Sequence, residues 1–217
     1  MLTAILATAL LATSAPLSSA LVDGVQLDVT SYHGTGCPAD KPYAVEVEPG
    51  GTGRHVASIR FSEFVVQALT PQQPESVDCD LTLNITGDPG TQVAITQARV
   101  RGSYVLAPRA EGSARLTLSS GPGAAANATT PWAQTNTTAS PRKGPITAEV
   151  TLKDTVWSGC GTPAAVQLGL HAEVRSDQTA VPTLITLTTG EAVATVDVER
   201  RPCPDRQLGR TSVRKGQ

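Results

Sequence analysis

The sequence predicts an all-β fold, an antiparallel β-sandwich of jelly-roll type stabilised by two disulfides, and three observations carry that prediction. Apolar and polar residues alternate with period two along most of the chain. No stretch of useful length repeats its apolar residues at the 3.6-residue spacing of an amphipathic helix. Clusters such as Pro49-Gly50-Gly51 and Asp88-Pro89-Gly90 bound the alternating runs as turns do. A strand with one apolar face must bury it against another layer, so two packed sheets are the architecture this pattern selects.

In chain order, the first strands are expected at 25–29, 43–47 and 57–66. Leu81, Leu83 and Ile85 then alternate with Thr82, Asn84 and Thr86, which turns the first three inward and Asn84 toward water. Strands at 93–100 and 115–118 follow. The cleanest alternation sets Ile146, Ala148, Val150 and Leu152 against Thr147, Glu149, Thr151 and Lys153. Val166, Leu168, Leu170, Ala172 and Val174 repeat it, and 183–187 and 193–198 complete the set. Residues 121–145 break the pattern. They are rich in Gly, Ala, Thr and Pro, offer almost nothing to a core, and read as a long, mobile, glycosylated loop.

The ends of the chain bear on compartment. Leu2, Ile5, Leu6, Leu10 and Leu11 form a short uncharged apolar region followed by Ser18-Ser19-Ala20, the pattern of a secretory signal cleaved after Ala20. The region is too short for the roughly 20 residues of a membrane span. Residues 205–217 are polar and basic, which excludes a lipid-anchor tail and reads as a flexible end. The expected organisation is therefore a signal peptide at 1–20, one domain at 21–204 and a tail at 205–217, with the product secreted, extracellular and free of the membrane after cleavage.

Two residue types support that compartment. Cys37, Cys79, Cys160 and Cys203 are even in number and contain no Cys-x-x-Cys pair, which points to disulfides rather than zinc or redox chemistry. Three pairings are open from sequence, and the nearly equal outer intervals favour Cys37 with Cys79 and Cys160 with Cys203. All three asparagines, Asn84, Asn127 and Asn136, precede x-Thr with no proline between, so each is an acceptor sequon for N-linked sugar.

Composition excludes more than it assigns. The net charge is −2 and the basic residues are scattered apart from the C-terminal tail, which argues against a nucleic-acid surface. Asp78 with Asp80, and Glu46 with Glu48, share strand faces and have the residue types for acid–base hydrolysis of glycosides. Period two alone also places such pairs, as ordinary solvated acids. Calcium between strand carboxylates is weighed against the same alternative. His33, His55 and His171 are isolated and prealign no metal site. There is no Gly-x-Ser-x-Gly, and Ser158, beside Trp157, reads as structural. Gly50-Gly51-Thr52-Gly53-Arg54 lacks the Lys-Ser/Thr ending of a phosphate loop and reads as a turn. Aromatic residues make up 3% of the chain, too few for a flat sugar-stacking platform. Trp132 falls in the expected loop, and Trp157 is expected to pack beside a disulfide. No catalytic residue, metal or cofactor is assigned.

Several short motifs nonetheless resemble a known family. Gly34-Thr35-Gly36-Cys37-Pro38, Asp78-Cys79-Asp80-Leu81-Thr82-Leu83, Arg101-Gly102 with Tyr104, Ser158-Gly159-Cys160-Gly161 and Pro202-Cys203-Pro204 look like the domain-of-unknown-function family numbered 4360, small secreted proteins of fungi and some bacteria. The similarity runs from Val25 to Cys203. It departs at Asp78, where the family usually has Asn, and at Thr188-Thr189-Gly190-Glu191, where relatives carry an Asp-rich segment. The resemblance implies secretion, disulfides and a β-rich fold, and it implies no activity. The functional expectation is a secreted glycoprotein, non-enzymatic, at a cell surface or wall or acting as an effector, whose partner is a cell-wall polysaccharide or a surface protein. The alternative is a carbohydrate-binding protein or a carbohydrate-active enzyme using paired carboxylates.

Overall fold

In the computed structural model, residues 18–37, 43–61, 64–121, 126–178, 181–187 and 194–204 are described. Their alternation is realised as two antiparallel sheets. The first contains β1 (Ser18–Val22), β2 (Val25–His33), β6 (Glu75–Gly87), β11 (Ala164–Arg175), β8 (Glu111–Ser120) and β9 (Ala126–Thr135), side by side in that order. The second contains β3 (Tyr43–Gly51), β4 (Arg54–Phe61), β13 (Ala194–Pro202), β7 (Thr91–Leu106), β12 (Leu184–Thr186) and β5 (Val65–Gln67), with β10 (Arg142–Thr151) on the other side of β7. β7 is long enough to pair with β13 along its first part and with β12 along its last.

The core lies between these sheets and is built from the residues that alternation turns inward. Leu27, Leu81, Leu83, Ile85, Leu116, Leu118 and Leu168 come from the first sheet, and Ile59, Ile95, Val100, Ile146 and Val196 from the second. Burying one such side chain contributes about 2 kcal/mol, so the two apolar faces supply the main driving force. At one margin Thr130 Oγ1 of β9 donates to the Glu149 carbonyl of β10 at 2.7 Å, joining an edge strand of one sheet to an edge strand of the other.

Both disulfides have the pairing that the cysteine intervals favour, Cys37 with Cys79 and Cys160 with Cys203. The first also explains the Gly-x-Gly-Cys motif. Gly34 has φ +132°, and a Cβ there would stand 2.2 Å from the Asp78 carbonyl oxygen. A Cβ on Gly36 would stand 2.6 Å from the Phe64 ring. The backbone must therefore run directly against β6 and Phe64, and Gly36 N donates to the Asp78 carbonyl at 2.8 Å. That approach brings Cys37 onto Cys79.

Every expected strand is present, most of them longer than expected, and the run at 57–66 divides into β4 and β5. The loop expected at 121–145 is corrected. β9 pairs with β8 from Glu111 opposite Thr135 to Ser120 opposite Ala126, and Arg142 and Lys143 already belong to β10, leaving 136–141 between the two strands. The segment escapes a hydrophobicity reading because it is an edge strand whose inward positions are Ala128, Thr130 and Trp132, only partly buried. Its Pro131 is tolerated because an edge position needs no second ladder hydrogen bond. Trp132 consequently packs against Tyr104, ring centroids 5.2 Å apart, and is not a loop residue. β1 was also unforeseen. Cleavage after Ala20 would fall inside it, between the pairs Ala20 with Leu27 and Leu21 with Gln26. The rest of the signal region, 1–17, and the tail, 205–217, lie outside the described residues. Among the described residues, no helix is long and apolar enough to cross a membrane.

Candidate functional site

The carboxylate pairs lie on the open outer faces of the sandwich. Glu46 and Glu48 are exposed on β3, and Glu46 accepts from Arg60 Nη2 of the neighbouring strand at 2.8 Å. Asp78 and Asp80 share the outer face of β6, where Asp80 Oδ2 stands 3.5 Å from His33 Nε2 and His171 is the partner of Asp78 across the ladder. Arg99 and Glu149 repeat the arrangement between β7 and β10 at 2.7 Å. Each is a cross-strand pair on a solvated surface, an arrangement that contributes roughly 0.2–1 kcal/mol. Among the described residues no group of three or more His, Cys, Asp or Glu side chains is placed to hold a metal ion.

Two hollows offer more than these faces. One follows from a bulge: β13 pairs Asp197 with Gln97 but Val198 with Ile95, so Thr96 is an extra residue in β7, and its carbonyl instead accepts from Leu152 N at 2.9 Å. The distortion opens a cavity of about 290 Å3 lined by Arg54, His55, Gln97, Asp197 and Glu199, among others. Arg54 is 3.6 Å from Glu199. Thr52 and Gly53 alone turn β3 into β4 beside it; Gly50, Gly51 and Arg54, expected in that turn, belong to the two strands.

His55 is 3% exposed, and its Nδ1 has no hydrogen-bond partner among the described residues. Burial, reinforced by the Arg200 guanidinium and opposed by Asp23, holds its pKa below the usual 6.5. The unfolded chain therefore binds a proton here before the folded protein does. Stability is expected to be unaffected by His55 above about pH 6.5 and to decline as pH falls from that value through the lower folded pKa. Urea midpoints measured at intervals from pH 8 to pH 5 should show the decline, and His55→Gln should flatten it.

The second hollow lies at the same end of the sandwich, below the connection from β10 to β11. Four backbone and side-chain bonds fix that connection. Ser158 N donates to the Val93 carbonyl at 2.8 Å, Val93 N donates to Ser158 Oγ at 3.0 Å, Gln92 Nε2 donates to the Ser158 carbonyl at 2.7 Å, and Gly161 N donates to the Thr91 carbonyl at 3.0 Å. Ser158 is thus held as part of the scaffold. The Arg201 guanidinium stacks 3.9 Å from the Trp157 ring centre while its Nε donates to Gln92 Oε1 at 3.0 Å. Trp157 is half-buried, with Arg201 over its ring. It lines a cavity of about 290 Å3 with Val156, Pro163, Ala164 and Ser120. The Ser120 hydroxyl is buried and has no partner among the described residues. Neither hollow is apparent from sequence, because each is formed by residues far apart in the chain. An inward-facing Ser120 at the end of an otherwise apolar alternation is the one local sign.

The sequons differ from one another. Asn84 is half-buried on the outer face of β6, opposite Asp28 and Ala165, as the alternation predicts. Asn127 lies in β9 opposite Ser119. Asn136 is corrected as an acceptor: it is 0% exposed, and its Nδ2, the atom that would carry the sugar, donates to the carbonyls of Leu106, Ala107 and Ser140 at 2.9–3.0 Å. A glycan at that nitrogen is incompatible with this packing.

No curated protein matches the chain. Among solved structures, one described as a structural basis for the promiscuous specificity of carbohydrate-binding modules from the β-sandwich superfamily aligns with 11% identity and a TM-score of 0.22. The alignment covers 82% of this chain and spans 56% of that one. The family described as a domain of unknown function, DUF4360, matches residues 23–203, which contain both disulfides, both hollows and every sequon, and the chain belongs to that family.

Proposed function

We propose that this is a secreted, N-glycosylated extracellular protein, processed after Ala20 and carrying sugar on Asn84 and Asn127. It acts without catalysis at a cell surface or wall, and its partner is a wall polysaccharide. The observation that supports this most is the engagement of its surface acids. Glu46, Glu149 and Asp80 are each matched to a cross-strand cation or histidine on an open face, which suits a stable exposed surface better than a poised acid–base pair. Both disulfides accord with an oxidising compartment.

A second reading, a carbohydrate-active enzyme, is favoured by one arrangement. Asp197 and Glu199 lie two apart on β13 and line one cavity with His55. One experiment separates the two. Protein secreted from a fungal host is incubated with insoluble chitin, β-glucan and cellulose, and both sedimentation and soluble reducing sugar are followed. Co-sedimentation with at least one polymer and no sugar release is expected. Release that disappears in Asp197→Asn or Glu199→Gln would establish the enzyme instead, and protein left in the supernatant with all three would overturn the wall assignment.

A further inference from the structure

The hollow below Trp157 has a definite chemistry. Its walls are apolar on the side of Val156, Trp157, Pro163 and Ala164, and its polar groups are neutral. Among the described lining residues there is no charged side chain, so a carboxylate or phosphate would be desolvated there without a counter-charge. At about 290 Å3 it is roughly ten times the ≈ 30 Å3 share of one water and close to the lower limit of small-ligand pockets, ≈ 300 Å3. It also contains an unmet demand, because the Ser120 hydroxyl is 1% exposed and unpartnered among the described residues. A buried hydroxyl left in that condition costs about 1–3 kcal/mol, which a ligand able to hydrogen-bond to it recovers.

A neutral molecule with one apolar face and a rim of hydroxyls satisfies all of these conditions, and that description fits a pyranose. We propose that the Trp157–Ser120 hollow binds a single neutral pyranose ring at the end of a glycan chain, the C–H face of the sugar against the indole and one hydroxyl paired with Ser120 Oγ. This deepens the wall-polysaccharide reading and rests on it. The site is preorganised. Arg201 stacks on the indole, Gln92 accepts from Arg201 and donates to the Ser158 carbonyl, and the Cys160–Cys203 bridge joins the loop to the end of β13. The indole is thus held in place before any ligand arrives, which lowers the ordering cost of binding.

Trp132→Phe makes Trp157 the only indole in the protein, and its emission then reports on the hollow alone. Glucose, mannose, galactose, N-acetylglucosamine and short oligomers of glucose and N-acetylglucosamine are titrated to about 50 mM, a range suited to the millimolar affinity of a one-ring site. A saturable change with at least one of them is expected. Ser120→Ala should weaken it about fivefold through loss of one neutral hydrogen bond. That variant removes an unpaired buried group, so its thermal midpoint should not fall. Trp157→Ala should abolish co-sedimentation with the polymer that wild type binds. If the polymer is bound equally well by Trp157→Ala and Ser120→Ala, the hollow is not the site although the wall reading stands. Absence of binding to any polymer and any free sugar overturns both. Binding unchanged in Ser120→Ala, or a response to phenol with none to sugars, overturns the pyranose assignment.

Discussion

Alanine at both Cys37 and Cys79 is expected to lower the unfolding free energy by about 4 kcal/mol, the chain-entropy value for opening a loop of 42 residues, plus the cost of the cavity left by the sulfurs. Both cysteines are buried, and Phe64 packs against Gly36, the residue next to Cys37, so the loss is not confined to the unfolded chain. Cys160→Ala with Cys203→Ala opens a loop of 43 residues, and the entropic part is again about 4 kcal/mol. Those sulfurs lie near the surface, where removal leaves little void. Urea denaturation of the two double variants should therefore give a larger loss for the first pair, with a fall in Tm of roughly 8–16 °C for a domain of this size. In the second pair the core should persist while the end of β13 loosens. Cys203 N donates to the Gly90 carbonyl at 2.8 Å, and Arg201 reaches Trp157 from the same strand end, so a change in indole emission before global unfolding is the expected signature. Equal stability of wild type and either double variant would show that the bridge contributes nothing to the fold.

How much of this was legible in the sequence depends on what each residue had to announce. Strands buried on one face declare themselves by alternation, which is why β6, β10 and β11 could be placed and their inward residues named. β9 could not, since an edge strand with Ala128 and Thr130 facing in and Pro131 facing out presents the composition of a loop. The disulfide pairing was readable because chain intervals mirror the two ends of the sandwich at which the bridges lie. The hollows were not, because the bulge at Thr96 arises from register between distant strands and leaves no local pattern, and Ser120 shows locally only as a polar residue at an inward position, with nothing to mark the cavity it lines. The glycine motif around Cys37 falls between these cases. It was visible as a motif, and only the contacts with Asp78 and Phe64 give its cause.

Asn136→Ala is expected to cost about 3 kcal/mol, more than any surface asparagine should, because it removes a group that satisfies several backbone atoms at once. Its Nδ2 donates to three carbonyls, and its Oδ1 accepts from Thr138 N at 3.0 Å and from Thr138 Oγ1 at 2.7 Å. The backbone of Asn136 is equally committed, its N donating to the Ala110 carbonyl at 2.9 Å and its carbonyl accepting from Arg109 N at 2.8 Å. The residue thus ties the connection between β9 and β10 to the turn after β7. The Asn-x-Thr spacing that marks a sequon also builds an Asx turn, in which the side chain accepts from the backbone two residues on. Here both sequon side chains serve that turn. Asn136→Asp tests the argument more sharply, for it is nearly isosteric and replaces the donor nitrogen with an acceptor. An ionised carboxylate would then face the carbonyls of Leu106, Ala107 and Ser140, and burial among them would raise its pKa above the usual 3.9. The raised value means that the folded form takes up a proton before the unfolded chain does, so the penalty should be largest at neutral pH and shrink as pH falls through the folded pKa. Asn136→Asp is accordingly expected to be less stable than Asn136→Ala at pH 7 and to recover part of the difference at pH 5. The same geometry predicts the outcome of enzymatic deglycosylation in heavy-oxygen water followed by peptide mass analysis. Label should appear at Asn84 and Asn127 of folded, secreted protein and be absent from Asn136. Label at Asn136 in protein with a native melting transition would show that the carboxamide is not enclosed as described.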